Sequence, residues 1–270
     1  MKNLQQPQER DWNKIPELTI LFWIMKITAT TLGETGGDFL AQTLKVGYGV
    51  STMIFFAFFL IMVISQLLVK RYIPPIYWAV IVATSTAGTT MSDYMDRTLG
   101  LGYAMGALIL VSILILILII WRFTEKSLSV TDIKSFRGEA FYWTAILFSN
   151  TLGTALGDFL ADDSGLGFGG SALLISSVLA LIVIAYYFTR ISRVILFWIA
   201  FVLTRPFGAT FGDLLTKPHD HGGMDYGTKG SSLILLALLV ILVIYESIKL
   251  KNHKQKKDKI GISNLHIVSR

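Results

Sequence analysis

The sequence predicts an all-α membrane protein: eight transmembrane helices arranged as four helical hairpins of the same orientation, with both termini cytoplasmic. Three observations carry that prediction. The chain is 53% hydrophobic and only 16% charged, with a mean hydropathy of +0.60, against roughly 25% charged residues in soluble domains. It contains several uncharged runs long enough to cross the hydrocarbon core, and one sequence pattern recurs four times along it. A cysteine count of zero excludes disulfides, thiolate metal ligation and cysteine nucleophiles.

Taken in order, the spans begin with Leu18 to about Leu40, which is interrupted by Lys26, Glu34 and Asp38. Val46 to Val69, Tyr72 to Ser92, Thr98 to Trp121, Ala140 to Gly157 and Ser164 to Thr189 are uncharged throughout. Each is long enough for roughly 30 Å of hydrocarbon at 1.5 Å per residue. Val194 to about Leu215 carries Arg205 and Asp213, and Gly230 to Tyr245 closes the set. The organisation expected is a tail over residues 1–17, repeats over 18–70 and 71–121, a linker over 122–138, repeats over 139–190 and 191–248, and a basic tail over 249–270.

The first 17 residues lack an apolar run and a small-residue cleavage site, so an uncleaved amino terminus is expected. Lys and Arg gather in the two tails and in the connections after spans two, four and six, whereas the opposite side has only Lys45, Arg97, Lys217 and Lys229. Basic residues favour the cytoplasmic side, which sets the orientation. The net charge of +6 is then explained by topology and lipid headgroup contacts, and no nucleic acid partner is expected.

The repeat is the strongest signal. FWIMKITATTLGETGGDFL from Phe22, YWAVIVATSTAGTTMSDYM from Tyr77, YWTAILFSNTLGTALGDFL from Tyr142 and FWIAFVLTRPFGATFGDLL from Phe197 align without a gap. Each opens on an aromatic followed by Trp23, Trp78, Trp143 or Trp198, has Gly ten residues later and Asp fifteen residues later. The Trp residues are 55, 65 and 55 apart, so the first pair of hairpins maps onto the second with an offset of 120. Hairpins that leave from and return to one side are parallel repeats about an axis along the membrane normal.

These four Trp-x9-Gly-x4-Asp copies resemble a bacterial integral membrane protein family built of four tandem two-helix repeats of unknown function with a characteristic Trp. The resemblance spans about Leu18 to Ser247 and implies architecture and a bacterial cytoplasmic (inner) membrane, without naming a substrate.

Numbered from its Trp, each odd span places polar groups at +7, +11 and +15: Thr30, Glu34 and Asp38; Ser85, Thr89 and Asp93; Asn150, Thr154 and Asp158. That i, i+4, i+8 spacing is one helix face. Small residues at +10 and +14 form an adjoining strip that lets helices approach closely. The even spans lack such a stripe, so the odd spans are expected inside, around a shared cavity where Asp38, Asp93, Asp158 and Asp213 converge. Trp favours the membrane interface, and fifteen residues rise about 22 Å, which puts the Asp set in the outer third.

Intramembrane carboxylates need water, cations or protons to compensate them. Oxygen donors without cysteine suit hard or borderline divalent ions such as manganese, magnesium and calcium. The expectation is therefore a transporter of a small cation, a divalent metal of manganese type exported against protons, with Asp38, Asp93, Asp158, Asp213 and Glu34 as metal ligands. Thr30, Ser85, Thr89, Asn150 and Thr154 would complete the cation path. The string Gly33 to Asp38 resembles, one residue out of spacing, the Glu-x-Gly-Asp motif of a family of manganese and calcium exporters. The structural reading of the same residues is helix capping and packing.

The fourth repeat departs from the pattern, with Arg205 at +7 and Ala209 at +11. Arg205 is expected to pair with Glu34 or an Asp of another repeat. Two alternatives stand beside cation transport: a channel or carrier for a small organic or anionic solute centred on Arg205, and a noncatalytic scaffold or sensor. No His-x-x-x-His, Gly-x-Ser-x-Gly or phosphate loop points to an enzyme, and no cofactor is implied beyond a divalent ion as substrate. His219 and His221 lie in a Gly-rich connection that reads as a solvated loop or a metal-capturing one. Membrane lipids are the other expected partner, with a homo-oligomer compatible with the pattern.

Overall fold

The computed structural model describes residues 14–130, 133 and 135–268, with side chains described as far as 253 and at 255. Most of the expected amino-terminal tail, three residues of the linker and most side chains of the basic tail lie outside the described residues. The described chain is all-helical: α1 (Ile20–Asp38), α2 (Tyr48–Leu68), α3 (Pro74–Asp93), α4 (Tyr103–Glu125), α5 (Phe136–Asp158), α6 (Gly167–Phe188), α7 (Arg193–Thr216) and α8 (Gly227–Val268). The closing helix continues without a break into the expected basic tail, as far as Val268.

Local chemistry sets the helix ends. The Thr19 hydroxyl accepts from the Phe22 N–H at the start of α1, and the Ser135 hydroxyl accepts from the Gly138 N–H at 2.8 Å at the start of α5, each satisfying an orphan donor. Pro74 opens α3, where its missing N–H costs nothing. Helices α1, α3 and α5 each run into one π-helical turn, Phe39–Thr43, Tyr94–Thr98 and Phe159–Asp163. The chain then reverses at Gly47 and Gly102, whose φ of 84° and 72° falls in the left-handed region open to glycine. Repeat four differs: α7 carries on as α-helix to Thr216, and a longer connection containing a 3-10 turn at His219–His221 leads to α8.

Helices α1, α3, α5 and α7 form a closed inner ring, each packing on the next and α7 on α1. The ring closes because of the glycines at +10. A Cβ on Gly33 would collide with Ser85, one on Gly88 would lie 3.0 Å from the Asn150 backbone, one on Gly153 would collide with Arg205, and one on Gly208 with Thr30. Every +10 glycine therefore receives the +7 residue of the following repeat.

The outer helices obey the same direction. Helix α2 packs mainly on α3, α4 on α5, α6 on α7, and α8 returns to α1, so each hairpin spreads across two inner helices. Five helices, α2, α4, α6, α7 and α8, are long and apolar enough to cross a membrane. The outer four also present exposed Leu, Ile, Phe and Val along their length, an apolar surface that suits lipid better than water.

At the Trp end the repeated aromatic pair makes a belt. Phe22 contacts Trp78 (5.8 Å between ring centres), Tyr77 contacts Trp143 (5.5 Å), Tyr142 contacts Trp198 (6.5 Å) and Phe197 contacts Trp23 (5.9 Å). Trp78 and Trp143 are buried to 1% exposure. The tryptophans thus serve the ring closure itself, since the aromatic before each one supplies a face for the next repeat; interfacial anchoring alone does not describe them.

Candidate functional site

The interior of the inner ring is filled by stacked polar layers instead of the shared cavity expected from the sequence. Nearest the Trp end, Lys26 at +3 is fully buried; its Nζ donates to Asn150 Oδ1 at 3.4 Å and lies 4.2 Å from the centre of the Phe201 ring. Asn150 in turn donates to Thr84 Oγ1 at 2.9 Å and Ser85 Oγ at 3.3 Å. Thr30, in the same layer, donates to backbone carbonyls of its own helix and of Thr204.

The next layer centres on Arg205. Its side chain has 0% exposure, and its Nη2 donates to Glu34 Oε2 at 2.9 Å, Thr154 Oγ1 at 2.7 Å and Thr89 Oγ1. Thr89 and Thr154 also donate to Glu34 Oε2, at 3.3 and 3.5 Å. The three +11 oxygens of repeats one to three therefore surround a guanidinium that rises from +7 of repeat four, and the methyl of Ala209 at the fourth +11 position is fully buried beside them. Nε and Nη1 of Arg205 have no hydrogen-bond partner.

The four aspartates at +15 do converge on one end of the bundle, all buried, but as two bridged pairs. Lys217 Nζ lies 2.8 Å from Asp38 Oδ2 and 3.2 Å from Asp213 Oδ1. Arg97 Nε lies 2.9 Å from Asp93 Oδ1 while its Nη2 lies 3.1 Å from Asp158 Oδ2. Both cations stand at +19, four residues beyond the aspartate of their own helix, and reach to the aspartate of the following repeat. Burial works against the Lys217 ammonium, but Asp213 and Asp38 outweigh it and hold its pKa above the ordinary lysine value.

Glu34, Asp38 and Asp213 each offer a carboxylate oxygen within 4.8 Å of the others. Two ligands on opposite sides of a calcium-sized ion at about 2.3 to 2.6 Å lie about 5 Å apart, so this spacing suits one oxygen-loving ion. Asp38 Oδ1 is buried without a hydrogen-bond partner. Asp93 and Asp158 form the separate Arg97 pair. In the connection between α7 and α8 His219 Nδ1 is hydrogen-bonded to the Gly223 carbonyl at 2.9 Å, and His221 is 4.0 Å from Asp220; the one metal-like group among the described residues does not include either histidine.

Three functional candidates escaped the sequence reading. Lys26 was visible only as an interruption of the first span, Lys217 only as a charge opposite the cytoplasmic side, and Arg97 as another such charge, next to Asp96 in sequence. Extending the repeat numbering one helical turn beyond Asp, from +15 to +19, would have found the latter two as i, i+4 partners.

A ring of polar-faced helices sheathed by apolar ones, in which the main helix–helix interfaces join one repeat to the next, defines a membrane protein made by tandem duplication of a two-helix unit. The chain belongs to the family of the Repeat of Unknown Function (DUF347), whose model matches residues 21–72, 76–127, 141–192 and 196–249. Neither the curated proteins nor the solved structures compared with the chain give a match.

Proposed function

We propose that the protein is a transporter of a small divalent cation, of manganese type, which it exports from the cytoplasm in exchange for protons. The reading has all eight helices crossing a bacterial cytoplasmic membrane with both termini inside, so that the Asp end faces outward. The observation that carries it is the Glu34, Asp38 and Asp213 group, three buried carboxylates from two adjacent inner helices with oxygens within 4.8 Å.

Its chemistry is that of a carrier. Carboxylates buried in a low-dielectric bundle bind a divalent ion or protons and are costly to leave bare, so occupancy by one excludes the other. Glu34 links the group to the Arg205 layer, where a cation that attracts Glu34 competes with the guanidinium. Thr89 and Thr154 stand ready to keep Arg205 hydrogen-bonded, and Asn150, Ser85 and Thr30 continue the polar path towards the Trp end. Membrane lipids are the surrounding partner, and no catalytic role is assigned.

One observation favours a second reading. Among the described residues Lys26 has no carboxylate partner and two nitrogens of Arg205 have no hydrogen-bond partner, which would suit a small anion passing the inner layers.

Cellular content of a panel of metals, measured with and without the protein and with Asp38→Asn, Asp93→Asn, Asp158→Asn and Asp213→Asn at matched abundance, tests the proposal. One divalent metal should fall when the intact protein is present, and the fall should vanish with Asp38→Asn or Asp213→Asn. No change in any metal under stress by each ion sinks the cation reading and favours anion transport.

A further inference from the structure

Among the cavities of the molecule, one opens beside the carboxylate group. It has a volume of about 360 Å³, lies between the first and fourth repeats at the Asp end, and is lined by Gln42, Thr43, Thr216, Lys217, Tyr226 and Thr228, among others. The Thr43 and Thr228 hydroxyls are hydrogen-bonded at 2.7 Å across it, joining the π-turn after α1 to the start of α8. Lys217 is both a wall of this cavity and the bridge between Asp38 and Asp213.

We propose that this cavity is the vestibule of the cation site and that Lys217 is a tethered occupant of the site, which the divalent cation displaces as it enters or leaves there. The inference rests on the cation-transport reading and adds to it a route, a side of access and a residue that sets selectivity.

Charge supports it. With Glu34, Asp38 and Asp213 ionised, Arg205 and Lys217 leave one negative charge uncompensated. Exchanging the ammonium for a divalent ion closes that balance, whereas a monovalent ion gains nothing over the lysine already present. The Asp38 Oδ1 that lacks a partner supplies a free ligand atom for the incoming ion.

Comparison with Arg97 explains why exchange belongs to this side. Arg97 is the more exposed side chain, at 35% against 22%, yet it grips two aspartates through two different nitrogens and lies 5.5 Å from the Tyr103 ring. A planar guanidinium held at two points and against an aromatic face is a staple. Lys217 is held through a single atom at the end of a flexible stem beside open volume, and its retreat needs only rotation about side-chain bonds. The third carboxylate, Glu34, is also on the Lys217 side.

The chain has no cysteine, so single-cysteine variants of the full-length protein in proteoliposomes need no background removed. Thr43→Cys is tested with a membrane-impermeant thiol reagent from either side, with and without Mn²⁺, and Thr98→Cys, the same repeat position on the Arg97 side, serves as control. The expected result is labelling of Thr43→Cys from one side only, slowed at least about fivefold by Mn²⁺, and labelling of Thr98→Cys that Mn²⁺ does not change. Lys217→Met should lower the Mn²⁺ concentration needed for protection, in the same Thr43→Cys background, by about tenfold or more, and Lys217→Arg should raise it. Should Lys217→Met fail to fold, Lys217→Arg still decides.

Mn²⁺ flux by the unmodified protein without protection at Thr43→Cys, or with unchanged affinity in the Lys217 variants, overturns the vestibule and leaves the transport reading intact. Neither flux nor protection overturns both.

Discussion

Lys217 and Arg97 hold the same position in repeats four and two, 120 residues apart, and each ties the aspartate four residues before it to the aspartate of the following repeat. The backbone ring repeats four times, but its charges repeat only twice. Gln42 and Asp162 stand where the other two cations would be, so the Asp end has two faces of cation bridging and two without. Fourfold packing with twofold charge is what duplication of an already duplicated unit leaves behind.

The central ion pair makes the first prediction. Arg205→Leu leaves the Glu34 carboxylate buried with only the Thr89 and Thr154 hydroxyls, a loss of about 3 to 5 kcal/mol for a charge stripped of its partner. Glu34→Gln added to Arg205→Leu should restore most of it, because the amide needs no counter-charge. Thermal unfolding in detergent reads both, and a double variant no more stable than Arg205→Leu alone would contradict the assignment.

The glycines separate into two classes. Gly33→Ala and Gly153→Ala drive a methyl into Ser85 and Arg205 of the neighbouring helix, an overpacking cost of about 1 to 3 kcal/mol. Gly36→Ala meets only Thr86 Cγ2 at 3.7 Å, an ordinary contact, and should be neutral or stabilising by up to about 1 kcal/mol through helix propensity. Equal melting temperatures for all three would show that the inner helices do not approach as closely as the ring requires.

Lys26 is expected to cost stability. Its amino group is fully buried with one long hydrogen bond and, among the described residues, no carboxylate partner, so Lys26→Met, which keeps the chain volume, should stabilise the fold by at least about 1 kcal/mol. A destabilised Lys26→Met protein would mean that the lysine has a compensating partner in the folded state. A stabilised one marks it as retained for function.

Asp96 supplies a pH dependence at the rim, outside the apolar spans. Burial pushes its carboxyl up to about 6, against the lowering effect of the Ser92 hydroxyl and of Arg97. A carboxyl whose folded value is raised contributes stability that is full below the unfolded value of about 3.9 and is lost as pH rises through the folded one. The intact protein should therefore lose stability relative to Asp96→Asn between about pH 4 and 7. Parallel melting curves over that range would exclude the effect.

The sequence made the repeat legible because the Trp, Gly and Asp of each copy do the same packing job, and identical jobs leave identical letters. The +7, +11 and +15 stripe was readable for the same reason, and Arg205 stood out by breaking it. What stayed hidden was whatever lay between repeats. Nothing along the chain says that α2 leaves α1 for α3, or that the aromatic before Trp23 faces Trp78, since both are choices of neighbour and not of local structure. Pairing of the aspartates was hidden too, because Arg97 and Lys217 are chemically different and belong to only two of the four copies.

That choice of neighbour has a consequence for how the protein is made. Of the eight helices, α1, carrying Lys26, Glu34 and Asp38, leaves the ribosome first, but two of its packing partners, α7 and α8, are the last of the eight to be synthesised. Until they arrive, Glu34 lacks Arg205, Asp38 lacks Lys217 and the Trp23 ring lacks Phe197. An inner helix with three charged side chains therefore waits for two of its counter-charges until repeat four has been made. Closure of the ring is thus a step that only repeat four can complete, and a nascent chain halted before it leaves Glu34 and Asp38 without their cations and one side of α1 without its inner and outer neighbours.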